Sequence, residues 1–166
     1  MTDTAQARRA FDAALAAATT ADAAYGALHR LAEALVGARL FTVMTVDMTV
    51  GLARRAYTSN PESYPATGTK PIEMNAWFEV VHSRHEMFVA NTLADIAKVF
   101  PDHELIGSLG CGSVVNLPVL RAGQLVATVN LLDIERHYTP ERVERVASEL
   151  TLPAMATLLT ADRVET

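Results

Sequence analysis

Residues 111–133 read CGSVVNLPVLRAGQLVATVNLLD, and the fold follows from that stretch. Two β-rich runs, Gly112–Leu120 and Gln124–Leu132, flank Arg121-Ala122-Gly123. A three-residue loop with glycine last fits a type I turn closed by a left-handed residue, which predicts an antiparallel hairpin. Both strands are apolar on both sides: Leu125, Ala127, Val129 and Leu131 alternate with Val126, Thr128, Asn130 and Leu132. Such a strand lies mid-sheet with cover on each face. The rest of the chain has to supply the two covers.

Helical patterns sit at both ends. Residues 3–18 are alanine-rich, with Phe11 and Leu15 on one narrow stripe. Thr19 or Thr20 opens a second helix that carries Tyr25, Leu28, Leu31, Ala32 and Leu35 at helical spacing, and Gly37 stands where a left-handed cap belongs. Downstream, Thr139-Pro140-Glu141 supplies an N-cap, a proline at the first helical position and an early acid. Val143, Val146, Ala147, Leu150 and Leu158 give that helix its apolar side, and Pro153 inside it predicts a kink.

Between these ends, Leu40–Val46 is a strong β run, and Leu52–Thr58 returns as a more polar strand. Arg54 and Arg55 mark that strand as an edge with solvated charges. Residues 59–70 hold Asn60-Pro61, Pro65 and Gly68 and read as a loop. Glu73–Ser83 reads as a helix with Met74, Trp77, Phe78 and Val81 on its apolar side. A short strand, Met87–Ala90, a short helix with Leu93, Ile96 and Val99, and a helical turn over 102–109 complete the middle third. Terminal helices can cover one sheet face and this irregular insert the other. With no repeat or second core, residues 1–166 form one domain: an N-terminal helix over 1–18, a core over 19–159 and a tail over 160–166.

Composition narrows the function. Half of the 166 residues are hydrophobic and a fifth charged, as in a globular domain. A net charge of −5 disfavours nonspecific nucleic-acid binding, which needs a basic surface. No apolar run nears the ~20 residues that span a bilayer. The alanine-rich start lacks the apolar run of a signal peptide. A single cysteine permits no internal disulfide and fits a reducing cytoplasm.

Three pieces taken together resemble a GAF domain, a small-molecule sensing fold related to PAS. They are ALHRLAEALVGARLFTVMTVD, WFEVVHSRHEMFVAN and SVVNLPVLRAGQLVATVNLLDIERHYTPERVERV, spanning roughly Asp22 to Leu159. The resemblance implies an α+β fold with a GAF/PAS-like central antiparallel sheet of five or six strands. It puts N- and C-terminal helices on one face, often used for dimerisation, and a helix–loop insert over the other, with a ligand pocket beneath residues 57–116. GAF domains are commonly fused to output domains. Only short ends flank this one, so output is expected from a separate partner protein or from chemistry within the chain. Asn91 stands where an aspartate is common.

The candidate ligand-binding residues are Trp77, Phe88, Asn91, Ile96, Phe100, Cys111, Asn116 and Asn130. The aromatic and aliphatic members would shape a mostly apolar pocket, and the asparagines would orient polar groups. Thr42 and Thr128 are expected nearby. Each has a plainer reading: the asparagines satisfy buried backbone groups, and the apolar residues are core. Cys111, with His103 as base, is the candidate for catalysis, since a thiol needs a base to act as a nucleophile. The resemblance also brings free methionine-(R)-sulfoxide reductase into view, but its relay uses several cysteines. A bilin-type Cys-His pair is absent, and Asn91, Lys98, Phe100, Asp102 and Glu104 are too compressed to match the cyclic-nucleotide signature. His82 and His85 lack a third ligand at metal spacing, and no metal is expected. Lys70 or Arg84 could meet an anionic ligand. The expected function is a cytoplasmic, dimeric, small-molecule-binding sensory or regulatory domain whose ligand and cofactors the sequence does not name. The alternatives are an enzyme using Cys111 and a structural dimerisation module with no ligand.

Overall fold

A computed structural model describes residues 3–66 and 68–165. Met1, Thr2, Thr67 and Thr166, which fall in the expected N-terminal helix, loop and tail, lie outside them. Two helices come first, α1 (Thr4–Ala17) and α2 (Ala21–Leu35). Thr20 caps α2 by accepting the Ala23 N–H at 3.1 Å, and Gly37 at φ +86° turns the chain out of it. Strands β1 (Leu40–Asp47), β2 (Leu52–Thr58) and β3 (Thr69–Pro71) follow. The insert holds α3 (Ala76–Phe78), a π-helical turn over Glu79–Ser83, β4 (Phe88–Ala90), α4 (Leu93–Ala97) and α5 (His103–Ser108). Strands β5 (Ser113–Arg121) and β6 (Gln124–Asp133) and the long α6 (Pro140–Glu165) close the chain.

All strand pairs are antiparallel, in the order β3-β2-β1-β6-β5-β4. The expected α+β architecture with a six-stranded antiparallel sheet is what forms. On one face Phe41, Val43, Val115, Leu117, Val129 and Leu131 pack against Leu28, Leu31, Val146 and Leu150 of the terminal helices. On the other, Leu40, Val114 and Leu132 meet Tyr64, Ile96 and Ile106 of the insert. Among the described residues no helix is long and apolar enough to cross a membrane.

Several details depart from the sequence reading. The hairpin loop has two residues, Ala122 and Gly123, both at positive φ, because Arg121 pairs with Gln124. This is the type I′ geometry whose twist suits a tight hairpin. Strand β2 is not an edge: Leu52, Ala53 and Arg54 pair with Pro71, Lys70 and Thr69 of the three-residue β3. The helix expected over Glu73–Ser83 is one α-turn, capped by Asn75, that widens into a π-turn, and Met74 is exposed instead of apolar core. Finally, α6 continues unbroken through Pro153 and takes in residues 160–165, the expected tail. Ala161 is buried there, so packing extends past Leu158.

Alkali should weaken this fold. All four tyrosines hold their protons above the ordinary phenol range, Tyr25 up to about 12, with burial as the leading cause each time. The unfolded chain releases these protons at ordinary values. Stability is therefore full below the ordinary phenol range and is lost progressively as pH rises from that range toward the raised values of the folded chain. The melting temperature should be clearly lower at about pH 10.5 than at about pH 8, with tyrosinate absorbance rising at the unfolding transition. Equal melting temperatures would contradict the burial of these phenols.

Candidate functional site

Cross-strand register builds the site. Phe88, Asn116, Asn130, Thr42 and Thr58 stand opposite one another in turn across β4, β5, β6, β1 and β2, and so form one row on the insert side of the sheet. The next row is Pro118, Thr128, Met44 and Arg55. The insert closes over both rows. Between them lies a cavity of about 140 Å³, lined from the sheet by Thr42, Met44, Arg55, Asn116, Thr128 and Asn130, and from the insert by Tyr64, Trp77, Phe78, Val99, Phe100 and Asp102. An apolar cavity of ~150 Å³ suffices for a benzene-sized guest.

A directed chain of hydrogen bonds crosses the cavity floor. Trp77 Nε1–H donates to Asn116 Oδ1 at 2.9 Å, Asn116 Nδ2 to Asn130 Oδ1 at 2.6 Å, and Asn130 Nδ2 to Thr42 Oγ1 at 3.1 Å. Each acceptor fixes the orientation of the next amide, so the row presents a defined polar pattern. For Asn116 and Asn130 these bonds run side chain to side chain rather than to backbone groups.

Arg55 is the residue the sequence misplaced. Thr58 belongs to the pocket row and Tyr57 packs toward Phe41 and Tyr25 on the helix side. Strict alternation would then send Arg55 to the helices. A β-bulge intervenes: Val43 pairs with Tyr57 and Met44 with Arg55, which leaves Ala56 as the extra residue against the helix-side core. Arg55 thereby reaches the pocket, with a side chain only 11% exposed. Its Nη1 donates to the Pro65 carbonyl at 2.8 Å, its plane covers the Tyr64 ring at 3.7 Å, and its Nη2 lies 4.0 Å from Asp102 Oδ2. The Tyr64 hydroxyl donates to the same Asp102 oxygen. A second bulge, at Val126, turns Leu125 from the helix side to the pocket.

The other candidates divide. Trp77, Phe100, Asn116 and Asn130 line the cavity, as does the exposed Lys70. Ile96 and Phe88 belong instead to the core cluster under the insert, where Phe88 meets Phe100 edge-on at 6.0 Å. Asn91 points elsewhere: its Nδ2 donates to the Tyr138 carbonyl at 3.0 Å and its Oδ1 accepts the Tyr138 N–H at 3.2 Å. The amide acts as an added stretch of backbone, fastening β4 to the lead-in of α6. Asn91→Ala should therefore cost about 2 kcal/mol in urea unfolding and leave pocket affinity unchanged. Lost affinity in a folded variant would return Asn91 to the site. Arg84 lies beside Glu86 and is absent from the cavity lining.

Cys111 also falls outside the lining. It is buried among Leu40, Ile106 and Val114, and burial, followed by the Asp133 carboxylate, pushes its thiol up to about 11. His103 Nδ1–H donates to the Phe100 carbonyl at 3.0 Å. A buried thiol held protonated is a poor nucleophile, which weighs against Cys111 as one. Native protein at about pH 8 should resist iodoacetamide for hours and react stoichiometrically in urea, followed by intact mass. Rapid native alkylation would overturn this. Among the described residues no group of three His, Cys, Asp or Glu side chains is placed to hold a metal.

The six-stranded sheet, with terminal helices behind it and the insert in front, has counterparts among solved structures. It superposes on the GAF domain of an Acinetobacter phosphoenolpyruvate-protein phosphotransferase with a TM-score of 0.72 at 8% identity, over 100% of both chains. The fold is that of a GAF domain. The GAF domain of a two-component sensor histidine kinase from Bacillus halodurans gives 0.71 at 11% identity, covering 90% of this chain and all of its own. A free methionine-R-sulfoxide reductase from Neisseria meningitidis, in complex with its substrate, gives 0.65 at 15% identity, covering 96% of this chain and 92% of its own. No protein-family model and no curated protein sequence matches the chain. The likeness of this GAF fold to its neighbours is therefore one of backbone.

Proposed function

We propose that this GAF-fold chain is a small-molecule-binding sensory domain whose ligand lies between the sheet and the insert. The observation that carries the reading is the Trp77–Asn116–Asn130–Thr42 row at the bottom of a 140 Å³ cavity. A core with no guest is filled most cheaply by apolar side chains. Here a fixed polar pattern faces open space inside otherwise apolar strands. The sensor histidine kinase and phosphotransferase neighbours support a signalling role, and the reductase neighbour's complex supports a guest in this fold. Trp77 ties the insert to the sheet through one hydrogen bond, so a ligand that takes over that bond changes how the insert sits.

The reading extends to a cytoplasmic homodimer through the terminal helices that hands its signal to a separate output protein. Support for the dimer comes from Leu152, Met155 and Leu159, spaced along one stripe of α6, with Leu152 75% and Leu159 55% exposed. Native mass spectrometry of freshly purified protein tests both parts, as retained small-molecule mass and as subunit number. A thermal-shift screen of metabolites follows, because a ligand at 100 times its Kd stabilises the native state by about 2.7 kcal/mol. Absence of both retained mass and any shift would end the sensing proposal. A monomer unaffected by Leu159→Glu would end the dimer.

A further inference from the structure

The geometry points to Arg55 as the anchor for a carboxylate on a small ligand with an apolar body. This inference rests on the pocket reading above and names the ligand class. A guanidinium is always charged and offers planar pairs of N–H donors that match the two oxygens of a carboxylate. One part of the Arg55 plane is taken, since Nη1 donates to Pro65. The opposite edge pairs Nε–H with Nη2–H. Nε is buried and has no hydrogen-bond partner among the described residues, and Nη2 has only Asp102 at 4.0 Å, beyond hydrogen-bond reach. Asp102 is engaged by the Tyr64 hydroxyl on the oxygen that faces Arg55.

The position of Cζ over Tyr64 and the bond to Pro65 hold the guanidinium in place, so that its unpaired Nε–H and Nη2–H edge is fixed for a ligand that displaces its present cover. Lys70 adds a second positive charge to the lining, set against Asp102 and Glu73. Beyond the cation, the lining turns apolar with Met44, Phe78, Val99, Phe100 and Leu132. A single oxyanion at one end and a compact hydrocarbon or aromatic body at the other satisfy both parts. The amide row then faces whatever polar substituent the body carries.

Calorimetric titration of the full chain at neutral pH and constant ionic strength tests this, with benzoate and 4-methylpentanoate, their primary amides, and inorganic phosphate as probes. The carboxylates should bind at least tenfold tighter than the matching amides, and phosphate should bind much more weakly than either acid. Arg55→Gln should remove the carboxylate preference while amide affinity stays within about twofold. Arg55→Lys keeps the charge but loses the paired donors, and it should also lose at least tenfold for the acids. Asp102→Asn, which removes the competing carboxylate, should tighten acid binding severalfold, an effect that loss of structure would not produce. Equal binding of acids and amides to the native chain would overturn the anion assignment and leave the pocket reading standing. So would unchanged acid affinity in a folded Arg55 variant, and phosphate binding as tightly as benzoate would overturn the apolar-body class. If no probe binds, the ligand class is wrong, and the mass of any retained compound decides the pocket reading independently.

Discussion

Replacing Asn130 with alanine is expected to lower the unfolding free energy by about 2–4 kcal/mol. Asn130 is the middle link of the floor, accepting from Asn116 and donating to Thr42 in the centre of the sheet. Alanine leaves the Asn116 donor buried without a partner and adds a void, and both effects act in the same direction. The control is the double replacement Asn116→Leu with Asn130→Leu. It removes both partners and fills the space, so it should cost less than the single alanine change, although Trp77 then loses its acceptor. Urea unfolding measures both. The double variant should fold and no longer retain a ligand. A cost below about 0.5 kcal/mol for Asn130→Ala would mean that the row is not a buried network.

The second large effect belongs to the opposite face. Phe41 is fully buried on β1, stacked with His29 at 5.1 Å and edge-on to Tyr57 at 6.0 Å. Phe41→Ala should cost about 3–5 kcal/mol, a large share of the ~5–15 kcal/mol that holds a domain together. For a chain of this size that is a fall of roughly 6–20 °C in melting temperature. Because its side chain points to the helices, any ligand bound in the pocket should keep its affinity in the folded fraction. A variant that melts normally, or one that folds but loses pocket binding, would contradict the separation of the two faces.

These two residues also show what a sequence can reveal. Phe41 lies in a run of alternating apolar and β-branched residues whose only stable place is mid-sheet. Asn116 and Asn130 stood out because amides are rare in strands apolar on both faces, and Trp77 because it belongs to the one strongly aromatic segment of the insert. The remaining site residues depend on events that leave no local trace. Arg55 sits beside Arg54 in a polar strand, and only the extra residue at Ala56 decides which of the two faces inward. The bulge at Val126 hides Leu125 in the same way. Three residues, Thr-Lys-Pro, carry no strand signal, yet β3 pairs because β2 offers an open side. Asn91 closes the short insert strand and reads as a polar pocket group beside Asn116 and Asn130; its partner, Tyr138, lies 47 positions away in the chain and reaches it only after folding.

The short outer strands settle how this sheet can meet anything else. Both margins, β3 and β4, are three residues long, and Pro71 removes a donor from one of them. These three-residue strands themselves offer few free amide and carbonyl groups to an incoming strand. Growth of the sheet from copy to copy, the usual route to fibrils, is thereby discouraged.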